Sequence, residues 1–267
     1  MKAAHIWLCT AWLAVGVPAG AAQEPVQLDQ AIRGLARQGY HGDTADPARL
    51  LKSVLTKDPD NVEALWQLVL VRLSQTANME STETGTIVAS LGRAVRRIVT
   101  MARQQGREAF AHLVMARYAG YSRSYKRARK EIDAALKLKP NSLRARYAQA
   151  RLLTTRGRRE GSDSDIEAGI TLFKKLITRV GNAPPRYFTI ATLHFQIAYA
   201  LTAFSKPRWQ AAIDRYRLAL KTAPTDIIEV AWAWNNMSRE HRKLGQCKEA
   251  KAAAEKALSL MRFGAQP

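Results

Sequence analysis

A short pattern of small and bulky residues recurs along this chain and constrains its fold more than any other feature. Ala212-x3-Tyr216-x2-Ala219 is followed five residues later by Pro224, and Ala128-x3-Ile132-x2-Ala135 stands at the same distance before Pro140. Leu51-x2-Val54 precedes Pro59 by that spacing, and Trp234 with Leu244-Gly245 precedes Ala250-x3-Ala254-x2-Ala257. Residues three and four apart share one face of a helix. Small alanines on that face let two helices cross closely, and the bulky residue between them fills the groove. The proline then stops the helix and turns the chain into the next unit. A chain built this way is a stack of helix pairs, each burying its apolar face against its neighbour.

The rest of the chain agrees. Ile87, Val88, Leu91, Ala94, Val95, Ile98, Val99 and Ala102 are spaced by three and four, and Arg93, Arg96, Arg97 and Arg103 fall away from that stripe. No stretch alternates at period two, so no strand is predicted. The turns at Pro59, Pro140 and Pro224 each bring an Asn, Ser or Asp that accepts hydrogen bonds from the next helix's free amides. The spacing predicts helices near 28–38, 47–57, 62–74, 85–105, 108–120, 125–138, 142–156, 165–179, 186–204, 208–221, 227–243 and 247–261, with longer loops at 74–83 and 157–165.

These motifs resemble the tetratricopeptide repeat. The unit from Trp232 to Leu260 is the clearest, the units ending at Pro140 and Pro224 are good, and those near Pro59 and 165–180 are degenerate. The prolines at 59, 140, 185 and 224 are not evenly spaced, which departs from a strict repeat and leaves a looser helical-repeat family as the alternative. The resemblance implies an all-α, right-handed superhelical solenoid of about six antiparallel pairs. It also implies an inner face, formed by the first helix of each pair, that holds a peptide of a partner protein in assembly, adaptor or docking work. Carried over position by position, that face presents Glu63, Trp66 and Leu70, then Leu113, Arg117 and Tyr121, then Arg144, Tyr147 and Arg151. His194, Ile197 and Leu201 follow, and Trp232, Asn235, Arg239 and Arg242 complete it. Arginines beside aromatic rings suit a protein or peptide with acidic or carboxylate groups. Trp66 and Tyr147 also suit plain packing.

Net charge is +20, and it is uneven. Residues 1–92 carry seven Lys/Arg against nine acids, a net of −2, whereas 93–160 carry nineteen against four, a net of +15. Residues 161–267 carry sixteen against nine, a net of +7. Arg93, Arg96, Arg97, Arg103, Lys126, Arg127, Arg129 and Lys130 form a basic outer surface. An anionic envelope polymer or lipid headgroups would suit it, and so would plain solvation.

Lys2, an apolar run from Ile6 to Val17 and the small residues Pro18-Ala19-Gly20-Ala21-Ala22 read as a secretory leader. A domain layout of 1–22 as signal peptide and 23–267 as helical repeat follows, with cleavage after Ala21 or Ala22; an uncleaved anchor is the alternative. Cleavage would leave a periplasmic or secreted protein that is not integral to the membrane. Export argues against nucleic acid as the partner. Trp7-Leu8 before Cys9 is too bulky for lipoprotein processing, and Cys247, then alone, is expected to be buried and inert.

Enzyme chemistry finds no support. His5, His41, His112, His194 and His241 form no metal-ligand pair, and neither a nucleophile elbow nor a phosphate-cradling loop is present. Asp163-Ser164-Asp165-Ile166-Glu167 has the alternating carboxylates of a calcium loop without its glycine or closing glutamate, and a helix cap at Ser164 or Asp165 is the better reading. No metal or cofactor is expected.

Overall fold

The computed structural model describes residues 19–38, 45–75, 81–181, 187–222 and 227–263. The leader up to residue 18, His41, Pro185 and Pro224 lie outside them. Twelve helices occupy the described residues: α1 (Ala19–Gln38), α2 (Ala45–Lys57), α3 (Val62–Gln75), α4 (Ser81–Gln104), α5 (Glu108–Tyr121), α6 (Tyr125–Leu138), α7 (Leu143–Glu160), α8 (Asp163–Val180), α9 (Ile190–Leu201), α10 (Trp209–Thr222), α11 (Ile227–Lys243) and α12 (Cys247–Phe263). No strand occurs among the described residues, and no helix there is long and apolar enough to cross a membrane.

Each helix packs on the next, most extensively within the pairs α5/α6, α7/α8, α9/α10 and α11/α12. Across pairs, α5 touches α7 and α7 touches α9, and no two even helices approach as closely. The odd helices therefore form the inner layer of the stack and the even helices the outer one. At the ends of the chain, α1 also approaches α11.

The caps explain where the helices start. Asn61 Oδ1 accepts from the Ala64 amide at 3.1 Å, and Ser142 Oγ accepts from Ala145 at 3.2 Å. Thr189 and Thr192 close a reciprocal capping box on α9. The loop expected at 157–165 is only a turn, because α7 runs to Glu160 and α8 starts at Asp163. Gly161 adopts the left-handed conformation (φ 70°) that ends α7, and the cap of α8 is Ser162, not Ser164 or Asp165. Asp163 instead accepts from the Ser205 amide and hydroxyl at 2.9 and 2.5 Å, and Asp165 holds Arg156 at 2.5 and 2.6 Å. Both carboxylates are thus committed to joining helices. Cys247, expected to be buried, is exposed, because α12 begins at the tip of the turn that follows α11.

Gly157 and Gly169 set how closely α7 and α8 cross. A Cβ on Gly169 would stand 2.9 Å from the Ala150 carbonyl oxygen and 2.5 Å from Thr154 Cγ2. One on Gly157 would stand 2.7 Å from the Ser162 oxygen and 2.9 Å from the Ile166 nitrogen.

The apolar core falls into three patches. One lies among α1, α2 and α3 around Leu35 and Leu51. A second lies among α3, α4 and α5 around Trp66, Val95 and Phe110. The third runs from α7 to α12 around Phe173, Ile197 and Tyr216. Trp66, expected on the binding face, is 3% exposed and belongs to the second patch. Leu70, His194, Ile197 and Leu201 are buried as well.

A polar node bridges the second and third patches. Glu63, 2% exposed, receives both Arg144 Nη atoms at 3.1 Å, Arg107 Nη2 at 3.1 Å and Gln67 Nε2 at 2.9 Å. The Arg144 guanidinium lies 4.9 Å from the Phe110 ring centroid and 4.1 Å from that of Tyr187. Burial would push the Glu63 carboxyl up, but the Arg144 charge and hydrogen bonds, with Gln67 and Arg107, outweigh it and hold the carboxyl below its ordinary value. Arg144, expected to face a partner, is already neutralised inside the protein.

Two predictions follow from this packing. Gly169→Ala and Gly157→Ala should each lower stability, because overpacking costs of about 1–3 kcal/mol exceed the ~1 kcal/mol gained in helix propensity. Gly120→Ala, where a Cβ meets nothing within 4 Å, should raise it, and thermal melts of the three variants read the contrast directly. Removing the carboxylate by Glu63→Ala should cost on the order of 3–5 kcal/mol, because two arginines lose their buried counter-charge. A depressed carboxyl contributes stability that is present above the ordinary carboxyl range and is lost as pH falls through the folded value. Denaturant midpoints measured from neutral pH into acid should therefore fall more steeply for the wild type than for Glu63→Gln.

Candidate binding face

Beyond the Glu63 node, the inner layer carries side chains that the core does not use. They are clustered where α5, α7 and α9 meet. On α5, the Arg117 guanidinium lies 5.3 Å from the Tyr121 ring centroid, with Nη2 3.5 Å from its hydroxyl. On α7, Arg151 lies 5.9 Å from the ring of Tyr147, one turn earlier. Further along the same helix, Arg158 lies 4.5 Å from the ring of Tyr199 on α9 and donates to its hydroxyl. These cation–ring contacts place each guanidinium within about 6 Å of an aromatic ring, where the ring's quadrupole attracts it.

The electrostatics of the cluster are one-sided. Burial, then the adjacent Arg117 charge, holds the Arg151 guanidinium below its ordinary pKa, with Tyr147 and Tyr121 acting in the opposite direction. Burial, then Arg159, does the same to Arg158. Both remain charged at any physiological pH. Among the described residues neither these two arginines nor Arg117 has a carboxylate within 4.0 Å. The acids on these helices are engaged elsewhere: Glu108 with Arg103 at 3.1 Å, and Glu160 with Arg156 at 3.8 Å. No charged residue at all occurs on α9.

Tyr147 is tied into packing. Its ring stacks on Phe188 at 4.7 Å and meets Phe173 at 5.9 Å, so it buttresses the third core patch. On α11, Trp232, Asn235, Arg239 and Arg242 are spaced by three, four and three, which places them on one side of the helix. Trp232 is 40% exposed, Arg239 and Arg242 are exposed, and Asn235 is half-buried. Two contributors went unread in the sequence, Arg158 and Tyr199. The expected end of α7 at 156 excluded Arg158. The only signal for Tyr199 was an aromatic residue two positions past the apolar Ile197.

The basic outer residues lie on α4 and α6 and are all exposed. Three have partners: Arg97 with Asp60 at 3.5 Å, Arg103 with Glu108, and Arg129 with Asp133 at 3.8 Å. Such exposed pairs contribute little. Arg93, Arg96, Lys126, Arg127 and Lys130 project from the same layer.

Residues 113–162 match the tetratricopeptide repeat family. That span begins in α5 and ends at the cap of α8, so it contains Arg117, Arg151 and Arg158 together. No curated protein matches the chain. With that match lying across consecutive antiparallel helix pairs in a stack whose odd helices form the inner layer, residues 113–162 are similar to the tetratricopeptide repeat and the described helices form an all-α, tetratricopeptide-like solenoid, the architecture of a protein-interaction scaffold.

Proposed function

We propose that this protein is an exported scaffold that holds a carboxylate-rich segment of a partner protein along the inner faces of α5, α7, α9 and α11. The observation that carries the reading is the set of inner side chains that packing leaves over. Arg151 and Arg158 have no acidic neighbour within 4.0 Å among the described residues, and Tyr199 and Trp232 are 39% and 40% exposed. Arginine and large aromatic residues are the types that dominate the energetics of protein interfaces. The apolar, small-residue-terminated start of the chain supports export, and envelope assembly or an export apparatus is the setting that fits both features.

Site-directed photo-crosslinking in cells tests the reading. A crosslinker at 199 or 232 should capture one and the same partner, and a crosslinker at 130 on the outer layer should not. Trp232→Ala and Tyr199→Ala should weaken that complex by about 1–4 kcal/mol, as loss of aromatic anchors does. Reversing Arg127, Arg129 and Lys130 to glutamate should change mainly the association rate and its salt dependence. If the protein instead serves an anionic polymer through its outer layer, charge reversal abolishes binding and the aromatic substitutions leave it intact. Export is checked by sequencing the N-terminus of the purified protein, which should begin at Ala22 or Gln23; a retained Lys2 in a membrane fraction would refute cleavage.

A further inference from the structure

We propose that the edge of the stack where the chain turns within each helix pair is a membrane-docking surface, seated on the headgroups of an anionic phospholipid leaflet. This edge lies outside the inner face, and the proposal does not depend on what that face holds.

Each pair turns back on itself at one edge of the stack, and the links between pairs lie at the other. The α5/α6, α7/α8 and α11/α12 turns are built alike. In each, the residue after a left-handed position donates its amide to a carbonyl one turn back: Ser124 to Ala119 at 2.8 Å, Ser162 to Gly157 at 2.8 Å and Gln246 to His241 at 2.9 Å. Gly161 (φ 70°) and Gly245 (φ 72°) fill the left-handed position in two of these turns, and Arg123 (φ 58°) fills it in the third. A Cβ is crowded there, so an arginine destabilises a turn that glycine would relax. The basic residues that follow are also placed against the needs of folding. Lys126 and Arg127 stand in the first turn of α6, which has no acidic residue and receives no side-chain cap from Ser124. Positive charge at a helix N-terminus opposes the helix dipole.

The remaining turns extend the same charge. Arg159, Lys206, Lys243 and Lys248 are exposed along the α7/α8, α9/α10 and α11/α12 turns. Among the described residues neither these four nor Arg123 and Lys126 have a carboxylate within 4.0 Å. The acids of this edge are engaged or outnumbered. Glu160 meets Arg156 at 3.8 Å, Glu167 meets Arg208 at 3.1 Å, Asp163 accepts from Ser205, and Glu249 stands beside Lys248 and Lys251. At the opposite edge Asp58, Asp60 and Glu108 interleave with the basic residues. Packed helices stand about 8–10 Å apart, so neighbouring turns lie within one Debye length and their charges act together.

Apolar tips decide between a leaflet and a dissolved polyanion. Leu244 is 38% exposed at the tip of the α11/α12 turn, next to Lys243. Pro207 is exposed between Lys206 and Arg208. Lysine and arginine can lay their stems along apolar material and keep their charges at its polar boundary. A bilayer offers phosphate charge and, beneath it, an apolar layer that receives Leu244; a soluble polyanion offers charge alone.

The test is co-sedimentation of the purified protein with vesicles of phosphatidylcholine alone and of phosphatidylcholine mixed with phosphatidylglycerol. Only the mixed vesicles should carry it down, and less so as salt rises. Arg123→Gly should lower the partition coefficient about fivefold, the effect of one basic side chain at an anionic leaflet, while melting no lower than the wild type. Combining it with Lys126→Gln, Lys206→Gln and Lys243→Gln should abolish sedimentation. A variant that removes as much charge from the outer layer, Arg93→Gln with Arg96→Gln, Lys130→Gln and Lys174→Gln, should keep most of it. Leu244→Gln should weaken vesicle binding and leave binding to heparin unchanged. Equal sedimentation with phosphatidylcholine alone, or equal loss in the edge and outer-layer variants, overturns the docking edge. Vesicle binding indifferent to Leu244→Gln overturns the leaflet in favour of a soluble polyanion. An Arg123→Gly protein that melts lower and binds unchanged gives Arg123 a structural role and overturns its part in docking.

Discussion

The buried Glu63 carboxylate, gripped by Arg144 and Arg107, is the interaction on which the shape of the inner face depends. The helices of a repeat array otherwise bury apolar surface only against their neighbours, and here the apolar core is divided into patches. Glu63 is on α3, Arg107 just precedes α5, and Arg144 is on α7, so one carboxylate ties three successive inner helices. The Arg144 plane fills the space between Phe110 of one patch and Tyr187, which packs on the next. A hydrophobic replacement of similar volume would stabilise such a site at least as well. What apolar contact lacks is direction. A bidentate pair has a fixed plane and a fixed distance, so it fixes how Glu63 on α3 is held relative to Arg144 on α7.

Arginine serves three physical ends in this chain, and only their surroundings distinguish them. Arg144 and Arg156 are balanced by carboxylates and act as internal struts. Arg93, Arg96 and Arg127 project into solvent on the outer layer, where water and salt screen them. Arg117, Arg151 and Arg158 are different again, since each lies beside a tyrosine ring and has no carboxylate within 4.0 Å among the described residues; Arg117 and Arg151 are half-buried and Arg158 is exposed. The strongly basic middle of the chain is the sum of all three kinds, so its net charge overstates the surface available to any one partner.

The alternation of apolar residues at three and four carried nearly all of the architecture, because each helix buries one stripe and the turns are marked by Pro, Asn and Ser. The twelve helices and their pairing were legible for that reason. Gly157 was not. Glycine reads as punctuation in a single helix, but here it is an interior helix residue whose missing side chain admits the backbone of α8. Reading it as a loop shortened α7, which hid Arg158 and shifted the cap from Ser162. The surroundings of the candidate face's residues were legible only in part, for a different reason. Sequence spacing assigns a residue to the inner side of a helix, but that side includes both the groove surface and the seam with the next helix. Trp66 fell into the seam, and Arg144 met a carboxylate 81 positions away, which no local pattern reveals.

The partial burial of Arg151 on α7 has a consequence for how a ligand would be held. An ion pair formed at a protein surface gains little, because both partners give up water and rotamer freedom to make it. At Arg151, which is half-buried beside Tyr147, part of that cost is already met during folding. The folded protein thus stores an unfavourable term that an incoming anion relieves. Preorganisation of this kind raises affinity by lowering the cost of binding rather than by adding contacts. It also separates the two faces by their response to salt. The exposed outer charges lie in free solvent and are screened within about 10 Å at ordinary ionic strength, whereas partly buried guanidiniums are screened much less. The central helices therefore carry two kinds of positive charge, and under the proposed function the exposed kind would steer a partner's approach and the half-buried kind would hold it.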